Sequence, residues 1–551
     1  MTGEGDALRD YAALIAALRD PAAYPHAVGS VEVIETHIST VLLAGDHAYK
    51  IKKPVDLGFA DFSTLARRQE ACNAEIRLNR RTAPEMYLGV VPVTRTERRP
   101  RFGGDGEPVE YAVHMRRFAN GARFDELAQA GKLDDNCIDG LAATIAAFHA
   151  ACPRAPAQSA YGTPEQIGGW MRDTVSGLRL LVESQQLLDQ KPRIERLARW
   201  TELEFARRRQ VFAARRASGR VRECHGDLHL ANVAKIEGRP VPFDCIEFNP
   251  ELRFIDVMSD VAFAWMDLHD HDLPHLAARF LDRYLEGTGD YEGLAVLRFY
   301  AVYRALVRAL VAMIRRGQPD RSAADRARDK QACVRYVDVA ERLFRVRAPL
   351  FLLTCGVTGS GKTTVAQHLL ERLGAVRVRS DVERKRRAGL ASTDHRPQDL
   401  EAGLYDAAAT RATYEALAAA AAAIVDAGFC AIVDATFQRR ADRQAFAALA
   451  AEHGACRAVV VCEAGAPTLR ARVAARSARG DDASDATLAV LADQLAHFEQ
   501  PTADEGAVYR IDTDADAPTI AARCLELAGA LAADAVHPKP GQASPTACAT
   551  A

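Results

Sequence analysis

A run of residues in the second half of the chain has the types and spacing that hold phosphate. Gly356 to Thr363 fit the pattern GxxxxGK[ST], follow an apolar strand and open a helix, which is the context that this pattern requires. The glycines let backbone N–H groups turn around phosphates at a helix N-terminus, whose dipole favours anions. Lys362 adds a positive charge, and Thr363 offers a hydroxyl to Mg²⁺.

We therefore predict a nucleoside triphosphate site with ATP and Mg²⁺ as cofactors and with Lys362 acting in catalysis. The residues predicted to contact the nucleotide are Gly356, Val357, Thr358, Gly359, Ser360, Gly361, Lys362, Thr363 and Thr364.

Two aspartates follow later apolar runs of the same half. Asp434 ends CAIVDAT, where a carboxylate near the metal is expected, because open α/β sheets place ligand groups at the carboxyl ends of strands. Asp381, in VRVRSD, stands where a small kinase holds its acceptor or its base. For Asp381 the alternative is a helix N-cap, a position at which Asp is also preferred.

The segment LRARVAARSARGDDAS places four arginines on a helix that leads into a polar loop. One interpretation is a lid that closes over the triphosphate, since a loose transition state spreads charge over several oxygens. Arg476 and Arg479 lie nearest the loop and are the predicted contacts. The alternative is a solvated basic face, which would also include Arg470 and Arg472.

A second constellation lies in the first half of the chain. His225 to Asn232 fit HxDxxxxN, in which the aspartate accepts a hydroxyl proton and the asparagine holds Mg²⁺. Asp227 is the predicted base and Asn232 a predicted metal ligand. Asp244, in the strand-like VPFDCIEF, is expected to complete the metal site. The alternative is a polar loop that caps a helix.

A lysine for the phosphates of this first site is expected on the strand AYKIKK. Lys50 is the preferred candidate because Ala48 to Lys50 have the A-x-K form. Lys52 lies on the same face, since strand side chains alternate, so it stays an alternative. Glu75 is the expected carboxylate partner and Glu70 a weaker one; surface charge is the competing interpretation.

The elements around these residues predict two domains and a tail. Strands from Val31 to Lys53 and a helix from Ser63 to Arg81 indicate an α+β lobe, which helices follow. Beyond Ala348 strands and helices alternate, which predicts an α/β domain with a parallel sheet. The predicted ranges are a kinase-like domain over 1–348, a P-loop kinase or NTPase domain over 349–531 and a disordered tail over 532–551.

Composition bounds the partners and the compartment. The 551 residues carry a net charge of −2, so no global field recruits nucleic acid or an anionic membrane. The twelve cysteines form no CxxC pattern, which argues against structural zinc and a disulfide framework and favours a reducing cytoplasm. We find no signal peptide and no membrane span, and we expect a soluble protein without a membrane partner. Composition sets no oligomeric state.

From about Phe351 to Leu531 the chain resembles the small P-loop kinases, which include gluconate kinase, adenylylsulfate kinase and the zeta toxins. The motifs GVTGSGKTT, RSDVERK and VDATF carry this resemblance. It implies transfer of a γ-phosphoryl group to the hydroxyl of a small molecule, with Asp381 near that acceptor.

From Val31 to about Arg345 the chain resembles the aminoglycoside phosphotransferase family, which has a kinase-like fold. HGDLHLANV and FDCIEF carry the resemblance. It implies Asp227 as catalytic base, Asn232 and Asp244 as Mg²⁺ ligands and Lys50 on the phosphates. The sequence departs from the kinase pattern before Lys50, where THISTVLLAG replaces a glycine-rich loop. The whole chain resembles bacterial fusions of these two halves.

Three functions follow as hypotheses. The first is an enzyme with two ATP-dependent phosphotransferase centres acting on small hydroxyl acceptors. The second is a P-loop switch or triphosphatase joined to a ligand-sensing first half, which the missing glycine loop suggests. The third is a kinase of nucleic-acid ends, suggested by the arginine-rich SDVERKRR and RARVAARSAR; the near-neutral charge and the lack of interleaved aromatic residues argue against it.

Overall fold

A computed structural model describes most of the chain as two compact units. The described residues are 2–36, 38–56, 58, 60–96, 99–318, 321–345, 348–390, 394, 406–479 and 486–536. The first unit comprises Met1–Gly177 and Arg209–Asp267, and the second comprises Leu178–Arg208 and Leu268–Ala551. The expected boundary near Ala348 lies inside the second unit, and the domain ranges from the sequence stay a prediction.

The first unit begins with a six-stranded antiparallel sheet in the order β1-β2-β3-β6-β4-β5. Its elements are α1 (Thr2–Ala17), β1 (Val31–Glu35), β2 (Ser39–Ala44), β3 (His47–Lys52), α2 (Leu65–Asn79), β4 (Tyr87–Thr96), β5 (Arg99–Phe102) and β6 (Pro108–Arg116). Helix α2 starts after its N-cap Thr64, whose side chain accepts from the N–H of Arg67.

Helices and two short strand pairs follow this sheet along the chain. They are α3 (Phe124–Gln129), α4 (Asp135–Ala151), α5 (Pro164–Ser184), α6 (Lys191–Ala217), β7 (Val221–Glu223), β8 (Val233–Ile236), β9 (Arg239–Pro242), α7 (Pro250–Arg253), β10 (Phe254–Asp256) and α8 (Val257–Asp270). Helices α5, α6 and α8 each contain residues of both units. Strands β7 and β10 pair antiparallel, as do β8 and β9. The hairpin β8–β9 ends just before Asp244.

The second unit contains a five-stranded parallel sheet in the order β12-β13-β11-β14-β15. Its elements are α9 (Pro274–Thr288), α10 (Leu294–Arg316), α11 (Ala323–Phe344), β11 (Leu350–Cys355), α12 (Lys362–Leu373), β12 (Val376–Arg379), α13 (Ser380–Arg387), α14 (Ala407–Asp426), β13 (Ala431–Asp434), α15 (Arg440–Glu452), β14 (Cys456–Glu463), α16 (Ala466–Arg479), α17 (Leu488–His497), β15 (Ala507–Asp512) and α18 (Ala517–Val536). The predicted fold classes of both halves are confirmed.

Strand β11 lies at the centre of this sheet and is buried at every residue. Its sequence LFLLTC is apolar almost throughout because parallel sheets are covered on both faces. Strand β15, which the sequence patterns did not predict, adds an edge beside β14. Strand β13 pairs with β11 and β12 pairs with β13, all parallel, and this brings the segments after the three strands to the same edge of the sheet.

Helix α9 packs on the parallel sheet although it precedes the predicted P-loop domain. Ala278 of α9 shares a buried cluster with residues of α12 and α18. Arg279 of α9 pairs with Glu371 of α12 at 2.9 Å, and Arg298 of α10 donates to the carbonyl of Gly428 at 3.0 Å. These contacts explain why the residues from Leu268 onward belong to the second unit.

Helix α18 continues to Val536, so the predicted tail, which starts at Ala532, overlaps with the end of a helix. Residues 537–551 lie outside the described residues. Among the helices that the structure describes, none has the length and apolar character needed to cross a bilayer.

Leu352→Ala should destabilise the second unit. Leu352 is fully buried in β11, and a Leu-to-Ala change in a core costs about 2–5 kcal/mol of unfolding free energy. Leu525→Ala is the control, because Leu525 is 52% exposed and surface changes stay within about 0.5 kcal/mol. Native-state hydrogen exchange of the β11 amides would report the difference. Equal exchange in both variants would contradict the assigned core.

Candidate functional site

The loop between β11 and α12 depends on glycine at three positions. Gly356, Gly359 and Gly361 have φ of 144°, 79° and 81°, values that residues with a side chain rarely adopt. A Cβ at Gly356 would lie 2.6 Å from the carbonyl oxygen of Cys462 and from Ser360 Oγ. The loop therefore has no room for a side chain at its first position. Its backbone leads directly into the N-terminus of α12.

The polar groups at this helix N-terminus converge on one carboxylate. Thr363 Oγ1 donates to Asp434 Oδ2 at 2.9 Å, and Thr354 Oγ1 donates to Asp434 Oδ1 at 3.1 Å. Lys362 Nζ donates to the carbonyl of Val357 at 2.9 Å, and burial lowers its pKa. The structure thus brings together the predicted lysine, hydroxyl and carboxylate.

Helices α16 and α17 cover the same loop. Arg476 Nη2 donates to Thr358 Oγ1 at 2.7 Å, and the N–H of Thr358 donates to Gln494 Oε1 at 2.7 Å. Gln494 was missed because a lone glutamine on a helix carries no motif. Arg472 Nη1 donates to the carbonyl of Gly359 at 3.3 Å and Nη2 donates to the carbonyl of Thr513 at 2.6 Å, so this arginine braces the loop. The side chain of Arg479 lies outside the described residues.

A cavity of about 680 Å³ opens beside the loop. Its walls include Lys362, Thr363, Asp381, Arg384, Asp434 and Arg476. Asp381 lies in the first turn of α13, whose N-cap is Arg379, so Asp381 is not the capping residue. The cavity is of small-molecule size, and the residues suggested by the sequence that line it are Thr358, Lys362, Thr363, Asp381, Asp434 and Arg476.

The first unit holds a buried chain of opposite charges. Lys50 Nζ donates to Glu75 Oε1 at 2.9 Å and to Asp244 Oδ1 at 2.5 Å. Lys52 Nζ donates to Glu75 Oε2 at 2.5 Å and also to Glu247. Both lysines thus share Glu75, but Lys50 is the one that contacts the predicted metal ligand. Glu70 is exposed and takes no part.

The charges in this chain fix one another. Burial alone would lower the pKa of Lys50, but Asp244 and Glu75 raise it well above its usual value. Burial alone would raise the pKa of Asp244, but the Lys50 ammonium holds it below its usual range. Glu247 was missed by the sequence reasoning, although it stands three residues after Asp244 in FDCIEF.

The HxDxxxxN loop is closed by its asparagine. Asn232 Nδ2 donates to the backbone oxygen of Asp227 at 3.0 Å and to Asp227 Oδ2 at 3.1 Å. The carbonyl of Asn232 accepts from the N–H of Phe243 at 2.9 Å, which ties the loop to the residue before Asp244. Asp244 has a φ of 63°, a strained conformation for a residue with a side chain.

A buried aspartate of α8 holds the base of this loop. Asp260 accepts from the N–H of His225 at 2.7 Å and from the N–H of Gly226 at 2.8 Å. His149 contacts it from α4 at 3.3 Å. Gly226 has a φ of 85°, and a Cβ there would lie 2.8 Å from the carbonyl of Leu252. Asp260 and His149 were missed because nothing in their local sequence marks them as partners of the loop.

The segment THISTVLLAG, which replaces the glycine-rich loop, is mostly strand β2 and follows β1 after a short connection. The N–H of Thr36 donates to the carbonyl of Ser39 at 2.8 Å, and β1 and β2 pair directly on either side. His37 lies outside the described residues. The first unit therefore lacks, among its described residues, a flexible glycine segment that folds over phosphates.

Both sites offer the ligand atoms that Mg²⁺ prefers. Thr363 and Asp434 supply a hydroxyl and a carboxylate in the second unit, and Asn232 and Asp244 supply an amide oxygen and a carboxylate in the first. Hard oxygen donors of this kind suit Mg²⁺, whereas zinc or copper favour nitrogen and sulfur. The residues present therefore fit the metal that phosphoryl transfer uses.

Comparison with known proteins finds similar sequences and structures. A family model described as an AAA domain matches residues 351–501. An uncharacterized protein of Mycobacterium tuberculosis is 32% identical over 489 residues, which cover 88% of this chain and 92% of that protein. A solved sugar kinase from a Janibacter species is 21% identical, covers 33% of this chain and 98% of its own, and has a TM-score of 0.25. A solved amicoumacin kinase is 14% identical, with coverages of 60% and 96% and a TM-score of 0.37.

The family match and the geometry of the loop confirm the predicted P-loop nucleotide-binding domain. The matched residues begin in β11 and include the loop, α12, β12, β13 and α17.

His225→Gln should flatten the pH dependence of first-unit stability. Burial lowers the pKa of His225, so the folded chain stays unprotonated there while the unfolded chain takes up a proton below about pH 6.5. The unfolded state then binds more protons, and the free energy of unfolding decreases as the pH falls from about 6.5 towards the lower folded pKa. Urea denaturation of both chains across that range would measure the difference in slope; identical slopes would contradict the buried neutral histidine.

Proposed function

We propose that this chain, which belongs to the same family as the uncharacterized mycobacterial protein, is an ATP-dependent phosphotransferase with one centre in each unit. The observation that carries the proposal is the convergence of Lys362, Thr363 and Asp434 on the cavity that Asp381 also lines. A cation, metal ligands and a carboxylate facing a cavity of this size suit transfer to a small hydroxyl compound.

In the second unit, the backbone N–H groups of the loop and the N-terminus of α12 bind the phosphates. Lys362 and Arg476 neutralise the charge that spreads over the phosphoryl oxygens. Thr363 and Asp434 would hold Mg²⁺, which supplies charge neutralisation between the phosphates. Asp381 orients the acceptor hydroxyl and accepts its proton.

In the first unit, Asp227 accepts the acceptor proton and Lys50 binds the phosphates. Glu75 orients Lys50, and Asn232 and Asp244 would hold Mg²⁺. The loop is rigid because Asp260 binds two of its N–H groups. A short, rigid loop of this kind can hold both the base Asp227 and the metal ligand Asn232 in fixed positions.

A ligand-sensing first unit is the second candidate, and the short connection between β1 and β2 favours it. The nucleic-acid kinase hypothesis loses its main support, because Arg384 and Lys385 of SDVERKRR are buried and Arg472 braces the loop. We therefore propose small-molecule acceptors and not nucleic-acid ends.

Lys362→Met and Asp227→Asn separate the two centres. Each change should lower transfer at its own centre by roughly 10²-fold or more, because a phosphate cation or a general base is lost. Mass spectrometry of a metabolite pool with Mg²⁺ and ATP would find the acceptors as products heavier by one phosphoryl group. Calorimetry of the Lys362→Met chain would then test the first unit.

Residual binding of magnesium ATP by Lys362→Met supports two enzymatic centres, and no residual binding supports the sensor. Unchanged transfer in the Lys362→Met/Asp227→Asn double variant would refute the proposal altogether.

Arg476→Met should weaken nucleotide binding, whereas Arg470→Met should not. Both arginines lie on α16, but Arg476 reaches the loop at Thr358 and Arg470 is exposed. A charge-assisted phosphate contact is worth about 1.5–3 kcal/mol, so the dissociation constant should rise by about tenfold or more. Fluorescence titration with a labelled ATP analogue would measure it. Equal constants for the two variants would assign Arg476 to a solvated face.

A further inference from the structure

Two arginines of β12 connect α9 to the residues assigned to Mg²⁺. Arg377 is fully buried and donates through its backbone N–H to Asp282 Oδ1 at 2.8 Å and through Nη2 to Asp282 Oδ2 at 3.0 Å. Its Nη1 donates to the backbone oxygen of Thr363 at 3.3 Å. The side chain of Arg377 thus connects Asp282 of α9 to Thr363 in the first turn of α12.

The second arginine makes a parallel connection. Arg379 Nη1 donates to Glu286 Oε1 at 3.1 Å, and Arg379 Nε lies 4.0 Å from Asp434 Oδ2. Glu286 Oε2 also lies 3.6 Å from Arg377 Nη2, so this carboxylate faces both arginines. Arg379 lines the cavity that contains Lys362.

The charge of Glu286 matters for this geometry. Burial alone would raise its pKa, but Arg379 and Arg377 hold the pKa below its usual value, so Glu286 is ionised at neutral pH. Without that charge, the guanidinium of Arg379 would lose its ion pair with Glu286 and would be attracted more strongly to Asp434, which already lies 4.0 Å away. An arginine that pairs with Asp434 competes directly with a divalent cation for the same oxygens.

We propose that Glu286 is a positioning residue of the P-loop centre, which holds Arg379 back from Asp434 and keeps that carboxylate available to Mg²⁺. This inference rests on the function proposed for the second unit. It makes α9, which precedes residues 351–501 of the family match, a working part of the nucleotide site. In this proposal, Glu286 of α9 determines whether Asp434 pairs with Arg379 or with Mg²⁺.

Glu286→Gln in the full chain tests the proposal. Binding of a fluorescent ATP analogue would be titrated against Mg²⁺, and the Mg²⁺ concentration at half-maximal binding is the readout. Loss of a group that orients a metal ligand typically costs 10-fold to 100-fold in metal affinity, so this midpoint should rise by at least about tenfold. Binding of the analogue without Mg²⁺ should change by less than about twofold, since the loop and Lys362 are untouched.

The double variant Glu286→Gln/Arg379→Met separates positioning from a structural role. If Glu286 acts by restraining Arg379, removal of the arginine should return the Mg²⁺ midpoint to that of the parent chain. A structural role predicts a double variant at least as impaired as Glu286→Gln. Arg379→Met alone should leave the Mg²⁺ midpoint at or below the parent value. A midpoint above the parent value would overturn the proposal, even if Glu286→Gln does not fold.

Glu371→Gln is the matched control. Glu371 of α12 pairs with Arg279 of α9, the helix that also carries Glu286. The two ion pairs have similar exposure: the side chains of Arg279 and Glu371 are 12% and 19% exposed, and those of Arg379 and Glu286 are 12% and 14% exposed. The Gln367 amide that donates to Glu371 keeps an oxygen acceptor in the variant. An unchanged Mg²⁺ midpoint is expected; a rise equal to that of Glu286→Gln would assign the effect to helix docking and overturn the proposal.

The outcomes distinguish this inference from the function on which it rests. A parent chain with no magnesium-dependent nucleotide binding overturns both. A parent chain that binds magnesium ATP, together with an unchanged Glu286→Gln midpoint or an unrestored double variant, overturns the role of Glu286 alone.

Discussion

In both units, a carboxylate pairs with a positively charged side chain that lies close to a residue proposed to hold Mg²⁺. Glu75 pairs with Lys50, which also contacts Asp244, and Glu286 pairs with Arg379, whose Nε lies 4.0 Å from Asp434 Oδ2. A buried ion that loses its partner destabilises a protein by several kcal/mol, so the members of each set fix one another. The placement of the cations therefore depends on carboxylates that would not themselves touch the nucleotide.

The two centres reach this arrangement by different means. In the second unit the backbone forms most of the proposed phosphate site, because three glycines with positive φ shape the loop at a helix N-terminus. In the first unit side chains replace it. Asp260 braces the HxDxxxxN loop, and Lys52 with Glu247 extends the buried charge chain behind Lys50. Because the described residues before β2 form no glycine-rich loop, the phosphate binding proposed for that unit depends on these side chains.

The contacts of α9 cross the boundary near Ala348 that the sequence patterns suggest. Alternation of strands and helices begins at β11, yet α9 lies on the parallel sheet and contributes to its core. Its acidic residues pair with arginines on β12, which is where that strand meets the site. The parallel sheet and the preceding helices therefore stabilise one another, and changes in α9 are expected to act on nucleotide binding.

Residues whose chemistry depends only on their neighbours in the chain could be predicted from the sequence. The patterns that could be recognised from neighbouring residues are the glycine loop with Lys362 and Thr363 and the fixed spacing of Asp227 and Asn232. The parallel sheet followed from the alternation of strands and helices. Glu247, Asp260, Gln494 and Glu286 could not be found in that way. Each acts on a residue far away in the chain, and only tertiary packing decides which buried charges and N–H groups meet.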